Sequence, residues 1–185
     1  MFVKSLVRAA AFALLFTLAA SAAFAEATPR KTEGGVQLVP LGTDPLPFTL
    51  KTPKGTEVSL SDLLQKKAVI LVFWSLFCGP CQEELPLIDA VGKKYADKDL
   101  VVLAVNLDGE ARGKAVEKFM DKRGFTFTVV WEIIEGVRYK TADAYGVAGT
   151  PTMVLIGKKG KVSYTHVGQG TEADIEKAVQ AALAE

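Results

Sequence analysis

The seven residues Ala68-Val69-Ile70-Leu71-Val72-Phe73-Trp74 constrain this chain more than any other feature. They are apolar without interruption and rich in β-branched and aromatic side chains, which predicts a strand. A strand with no polar face has to be buried on both faces. Leu100 to Asn106 (Leu-Val-Val-Leu-Ala-Val-Asn) is a second run of the same kind. Two such strands need a sheet covered on both sides, which places the chain in the α/β class.

The remaining segments fit around that sheet. Leu85, Ile88, Val91 and Tyr95 recur at helical spacing and predict a helix from about Cys78 to Ala96, with Pro86 expected to kink it. Val116, Phe119 and Met120 mark a helix ending near Gly124, and Phe127 to Trp131 reads as a third strand. Thr152 to Ile156 and Lys161 to Val167 predict a hairpin around Gly157-Lys158-Lys159-Gly160. Thr171-Glu172-Ala173-Asp174 looks like a capped helix start, and Ile175, Val179, Ala182 and Leu183 give that helix one apolar face. Upstream, Phe48-Thr49-Leu50 and Glu57-Val58-Ser59-Leu60 flank the turn Pro53-Lys54-Gly55, and Ser61 to Leu64 reads as a helical turn.

The first residues have a different character. Lys4 and Arg8 precede an apolar or small run, Ala9 to Ala25, that closes on Ala23-Phe24-Ala25. A basic start, an apolar middle and a small-x-small ending predict a secretory signal peptide over residues 1–25, cleaved after Ala25. The alternative is an uncleaved helix anchoring the chain to the membrane, although the run is shorter than the ~20 residues a span prefers. Residues 26–43, with Pro29, Gly34-Gly35 and Pro40, read as a flexible lead-in, and residues 44–185 as one domain. With 22 Lys and Arg against 21 Asp and Glu and no basic run, nothing points to nucleic acid.

The chain has two cysteines, Cys78 and Cys81. Exported proteins usually carry Cys for structural disulfides. A bond closing so short a loop restricts the unfolded chain very little, so this pair is poorly placed as a staple. A zinc site would need about four ligands, and the only histidine, His166, falls on an expected strand, so no metal or other cofactor is expected. A C-x-x-C beside a βαβ pattern is instead the signature of a redox site. Cys78 falls where the helix begins, where free backbone N–H groups and the helix dipole favour thiolate. Cys78 is thus the expected nucleophile, Cys81 the more buried resolving thiol, and Pro80 suits the first helical turn. Gly149-Thr150-Pro151-Thr152 precedes a β-rich run, where an X-Pro bond is able to be cis.

Phe73-Trp74-Ser75-Leu76-Phe77-Cys78-Gly79-Pro80-Cys81-Gln82-Glu83-Glu84-Leu85-Pro86 resembles the active-site segment of TlpA/ResA-like exported thioredoxins. Ala144-Tyr145-Gly146-Val147-Ala148-Gly149-Thr150-Pro151-Thr152 is similar to that family's second motif. The resemblance spans roughly Asp44 to Ala184. It implies a thioredoxin fold, with a mixed central β-sheet flanked by helices and an N-terminal β extension. It also implies a cis Thr150–Pro151 bond facing the Cys pair, and substrate contacts at Trp74, Gly79, Pro80, Thr150 and Pro151. Glu84 matches a buried family glutamate that exchanges protons with the pair; otherwise it would be a solvated helix carboxylate like Glu83. The buried Asp of cytoplasmic thioredoxins is replaced here by Val72.

Two departures stand out. Many relatives carry Asp where this chain has Gly157, and Glu132 to Thr141 is longer and more apolar than the usual acidic turn. That stretch either shapes a partner surface or caps the core. The implied activity is reduction of protein disulfides, with apocytochrome c among the family's substrates. A membrane thiol reductase would resupply electrons to what is expected to be a monomer. Two rival readings are a peroxiredoxin-like peroxidase, from Ser75 three residues before Cys78, and a binding or chaperone module with an idle Cys pair.

Overall fold

The computed structural model describes residues 37–64 and 66–185. The expected signal peptide, its cleavage point after Ala25 and most of the 26–43 lead-in lie outside the described residues. Among the described residues no helix is long and apolar enough to cross a membrane.

Seven consecutive buried side chains make β3, Ala68–Trp74, the spine of the fold. The others that complete the sheet are β4 (Leu100–Asn106), β5 (Thr128–Trp131), β8 (Thr152–Ile156) and β9 (Val162–Val167). Their order is β5-β4-β3-β8-β9. β3 pairs parallel with β4 and antiparallel with β8, so the sheet is mixed, and β3 lies at its centre.

Alternation along β3 feeds two cores. Ala68, Ile70, Val72 and Trp74 point into one, against α2 (Gly79–Lys94), α3 (Gly113–Arg123) and α5 (Glu172–Leu183). Val69, Leu71 and Phe73 point into the other, under α4 (Lys140–Tyr145), the short α1 (Leu60–Leu63) and the hairpin of β1 (Thr49–Lys51) and β2 (Glu57–Ser59). Burying each large side chain of this strand contributes roughly 1.5–3 kcal/mol relative to exposure. Two-sided covering is therefore what the sequence of β3 demands. The hairpin is the expected N-terminal β extension, and its turn uses Gly55 at φ 78°, a conformation that favours glycine.

Of three boundaries, two differ from the sequence reading and one agrees with it. The helix after the Cys pair ends at Lys94, and Ala96–Lys98 continue as a separate 3-10 turn; α2 is continuous through Pro86. The helix starting at Thr171 is capped as expected, its Oγ1 accepting from Asp174 N–H. The stretch Glu132 to Thr141 was read only as longer and more apolar than the usual acidic turn. It forms a two-stranded hairpin, β6 (Ile134–Glu135) and β7 (Arg138–Tyr139), followed by α4. Periodicity is undetectable in strands of two residues, which is why pattern alone missed them.

Candidate active site

The redox pair lies where β3 hands over to α2. Cys78 is the N-cap of that helix and is half-buried; its Sγ accepts from Cys81 N–H at 3.2 Å. Cys81, one turn in, is 1 % exposed and packs with Trp74, Leu85 and Ile88 in the core. The two are joined as a disulfide. Gly79 and Pro80 between them are exposed. One sulfur thus faces the surface and the other is sealed by the helix that carries it.

The turn before Cys78 is held by a residue the sequence reading passed over. Asp108, just beyond β4, accepts from Ser75 Oγ and from Leu76 N–H, both at 2.7 Å. Asn106 steadies the carboxylate through its Nδ2 at 3.0 Å. Ser75 in turn accepts Cys78 N–H on its carbonyl at 3.1 Å, and Gln82 Nε2 donates to Leu76 O. A signal for Asp108 was available: polar residues at the carboxyl end of a buried parallel strand, Asn106-Leu107-Asp108, lie where α/β folds place their sites. The same bond directs the Ser75 hydroxyl to Asp108, a contact at odds with a peroxidatic role for Ser75.

The Thr150–Pro151 bond is cis. The β3–β8 register pairs Phe73 with Thr152, so one further step sets Pro151 across from Trp74, at the sheet end that carries Cys78. Pro151 is buried and Thr150 partly exposed. A cleft of about 280 Å³ runs from Ser75 and Asp108 to Tyr139, Gly149 and Thr150. Trp74 is corrected by the structure. It was expected to touch substrate, but it is fully buried, with Phe119 at 5.9 Å between ring centroids. A strand covered on both faces leaves its last indole in the core.

Glu84 is 1 % exposed, unlike its solvent-exposed neighbour Glu83. Its Oε1 accepts from Gly170 N–H at 2.8 Å, and its Oε2 is buried without a hydrogen-bond partner among the described residues. Burial pushes its carboxyl above the usual range; the Gly170 amide and the charge of His166 pull partly back. Gly170, like Asp108, was missed, because a backbone amide leaves no mark in sequence. Glu132 was noted only as the start of a stretch longer and more apolar than the usual acidic turn. It is 3 % exposed, and its carboxylate accepts from Ile133, Thr141 and Ala142 N–H, anchoring the start of α4. The apolar residues that follow it do not cap the core: Val137 is 95 % exposed and Ile133, Ile134 and Tyr139 are also exposed.

A half-exposed N-cap thiol, a sealed partner one turn on and a cis-proline at the same sheet end define a thioredoxin-fold thiol–disulfide oxidoreductase. The Redoxin family pattern matches residues 16–182, and this chain belongs to that family. It is 37 % identical over 151 residues to the thioredoxin-like protein YneN of Bacillus subtilis, covering 81 % of this chain and 83 % of that one. It is likewise 37 % identical over 139 residues to the thiol-disulfide oxidoreductase ResA of Geobacillus kaustophilus, covering 75 % of this chain and 76 % of that one. Among solved structures, a thioredoxin-family thiol:disulfide interchange protein of Chlorobium tepidum superposes with a TM-score of 0.64. The two share 26 % identity over 76 % of this chain and 96 % of that one.

Proposed function

We propose that the protein is an exported reductant of protein disulfides in which Cys78 attacks, Cys81 resolves and Glu84 carries the proton. The observation that carries this reading is the asymmetry of the pair, one sulfur half-exposed at a helix N-terminus and the other sealed in the core, with a buried carboxylate three residues further along the same helix. In the reduced enzyme the Cys78 thiolate attacks one sulfur of a substrate disulfide. A mixed disulfide forms, and the first substrate thiolate leaves. Cys81 then loses its proton to Glu84 and attacks Cys78 Sγ. The Cys78–Cys81 disulfide closes and the second substrate thiolate departs, so two electrons pass to the substrate. A membrane thiol reductase returns them.

Gly79 and Pro80, exposed beside Cys78, and the Thr150–Pro151 edge form the substrate contact. The exposed apolar hairpin from Ile133 to Tyr139 extends that surface. The signal-peptide pattern of residues 1–25 supports export and cleavage after Ala25, the remaining chain acting as a monomer built of a 26–43 lead-in and a 44–185 domain. Resemblance to TlpA/ResA-like thioredoxins supports apocytochrome c as one substrate, within cytochrome c biogenesis.

A Cys81→Ser variant tests this reading, since it stops the cycle at the mixed disulfide. Covalent capture of apocytochrome c or another exported protein through Cys78 is the expected result. A Cys78→Ser variant that keeps full biological activity would sink the redox reading in favour of a binding module.

A further inference from the structure

Seven large apolar side chains are exposed among the described residues, and four of them, Phe77, Ile134, Val137 and Tyr139, are linked by contacts into one ledge. Single apolar residues on a surface are ordinary, but a group of them around one reactive sulfur calls for a reason.

Phe77 directly precedes Cys78 and is 71 % exposed. The guanidinium of Arg112 lies over its ring, 5.7 Å from the centroid. Arg112 ends the 3-10 turn Glu110–Arg112, and its N–H donates to Gly109 O at 3.2 Å. At Gly109 the hairpin meets this loop. The residue sits at φ 67°, a conformation that favours glycine, and a Cβ there would lie 2.9 Å from Ile134 Cδ1. The missing side chain thus lets β6 rest on the residue after Asp108. Ile134 pairs across the hairpin with Tyr139, and Gly136 and Val137 form its tip. Tyr139 lines the cleft of about 280 Å³ together with Ser75, Asp108 and Thr150. The ledge is therefore continuous from the residue before Cys78 to the residue before the cis-proline.

The hairpin is tied down at its base. Lys140 N–H donates to Ile133 O at 3.0 Å and Tyr139 N–H to Asp143 Oδ2 at 3.1 Å, beside the three amides held by Glu132. Apolar side chains fixed in this way lose less freedom on binding than a mobile loop does. Asp108 is the only charged side chain lining the cleft among the described residues. Its two oxygens are already taken up by Ser75, Leu76 and Asn106. What the cleft offers a partner is apolar. Its volume falls just below the ~300–1,000 Å³ of pockets for whole small molecules and suits a single side chain.

We propose that this ledge is the specificity-determining surface of the redox site, and that its occupant is a bulky apolar side chain next to the reacting cysteine of an unfolded polypeptide. The inference rests on the reading of Cys78 as the attacking thiol of a protein-disulfide reductase. Continuity with Cys78 identifies the occupant. In the mixed disulfide the substrate sulfur is bonded to Cys78, so the substrate residues beside it have to lie against Phe77 and the mouth of the cleft. In a folded protein a bulky apolar side chain is ordinarily buried, so presenting one here requires an open chain.

Two peptide disulfides of equal length test it, each a homodimer joined through one cysteine, flanked by leucine in one and by serine in the other. The readout is the ratio of their rate constants for reduction by the reduced protein at neutral pH, each corrected by the rate of the same peptide with dithiothreitol. Taking the ratio cancels any general loss of reactivity in a variant. The parent is expected to reduce the leucine peptide about tenfold faster. Val137→Ser and Phe77→Ser are each expected to bring the ratio below about threefold. Val137 is 95 % exposed at the hairpin tip, so its variant keeps the test open should Phe77→Ser disturb the turn. A parent ratio near unity overturns the inference and leaves the reductase reading standing, since both peptides are still reduced. A tenfold ratio that neither variant lowers overturns it as well. Self-association of the parent that Val137→Ser abolishes, with the ratio unmoved, would overturn it in favour of a second copy of this chain. Failure of the parent to reduce either peptide removes the reductase reading and this inference together.

Discussion

Asp108 Oδ1 accepts a 2.7 Å hydrogen bond from Ser75 Oγ, across 33 residues of chain. The carboxylate's other oxygen takes Leu76 N–H, so one side chain at the end of β4 fixes the turn from which Cys78 N–H hangs. Hydrogen bonds to a charged group contribute about 1.5–3 kcal/mol each. Asp108→Ala is expected to cost about 2 kcal/mol in urea unfolding and to slow exchange at Cys78 in single turnover. Asp108→Asn keeps an acceptor and should fall between. Parent-like behaviour of the alanine variant in both assays would show the turn to be self-supporting.

Glu84 makes opposite predictions for stability and for activity. Burial raises its carboxyl in the folded state, so the native protein holds the proton more tightly than the unfolded chain. Its contribution is complete at pH below the ordinary carboxylate range and is lost as pH rises through the raised folded value. Glu84→Gln is expected to remove that decline, leaving the variant more stable than the parent at pH 8 by thermal melts, with little gain at pH 4. Disulfide reduction at neutral pH should drop on the order of a hundredfold if Glu84 is the base for Cys81. A variant as active as its parent would leave Glu84 a passive buried group.

Asp89 works with the other sign. It is buried on α2, and burial alone would raise its carboxyl. Lys93 and the Thr126 N–H and hydroxyl outweigh burial and hold it below the usual range. Its stabilisation is present above the unfolded-state value and lost as pH falls through the lowered one. Asp89→Ala strands the Thr126 amide and should cost roughly 1–3 kcal/mol at pH 7. The gap between variant and parent should narrow by pH 2. A gap that is constant over that range would mean that packing, not charge, is what Asp89 supplies.

Glu132 ties the apolar hairpin to the cis-proline segment, because α4, which it anchors, leads through Tyr145 and Val147 to Thr150. Glu132→Ala leaves three backbone amides without their acceptor and should cost about 3 kcal/mol. Glu132→Gln, which still offers one acceptor oxygen, should recover part of this. Amide hydrogen exchange over 133–147 reads the effect directly; unchanged protection there would show the hairpin to be held by other contacts.

Much of this molecule was legible because its signals are local. The run Ala68–Trp74 admits no solvent face, so the two-layered α/β core follows from composition within one strand. The Cys78–Cys81 spacing, Pro80 at a helix start and the Thr150–Pro151 pair carry their chemistry in adjacent residues. The sequence by itself therefore determined the buried strands and the redox pair, whereas the placement of Thr150–Pro151 facing that pair was only what the family resemblance implied. Tertiary structure alone decided the rest, since it depends on groups far apart in the chain. Asp108 meets Ser75 only because β3 and β4 pair in parallel, and Glu84 meets Gly170 only because α5 packs back on α2. Trp74, which the family resemblance marked as a contact residue, is removed from the surface by helices that cover its strand. A backbone amide and a burial leave no trace in residue order, and those are what set the surroundings of Glu84.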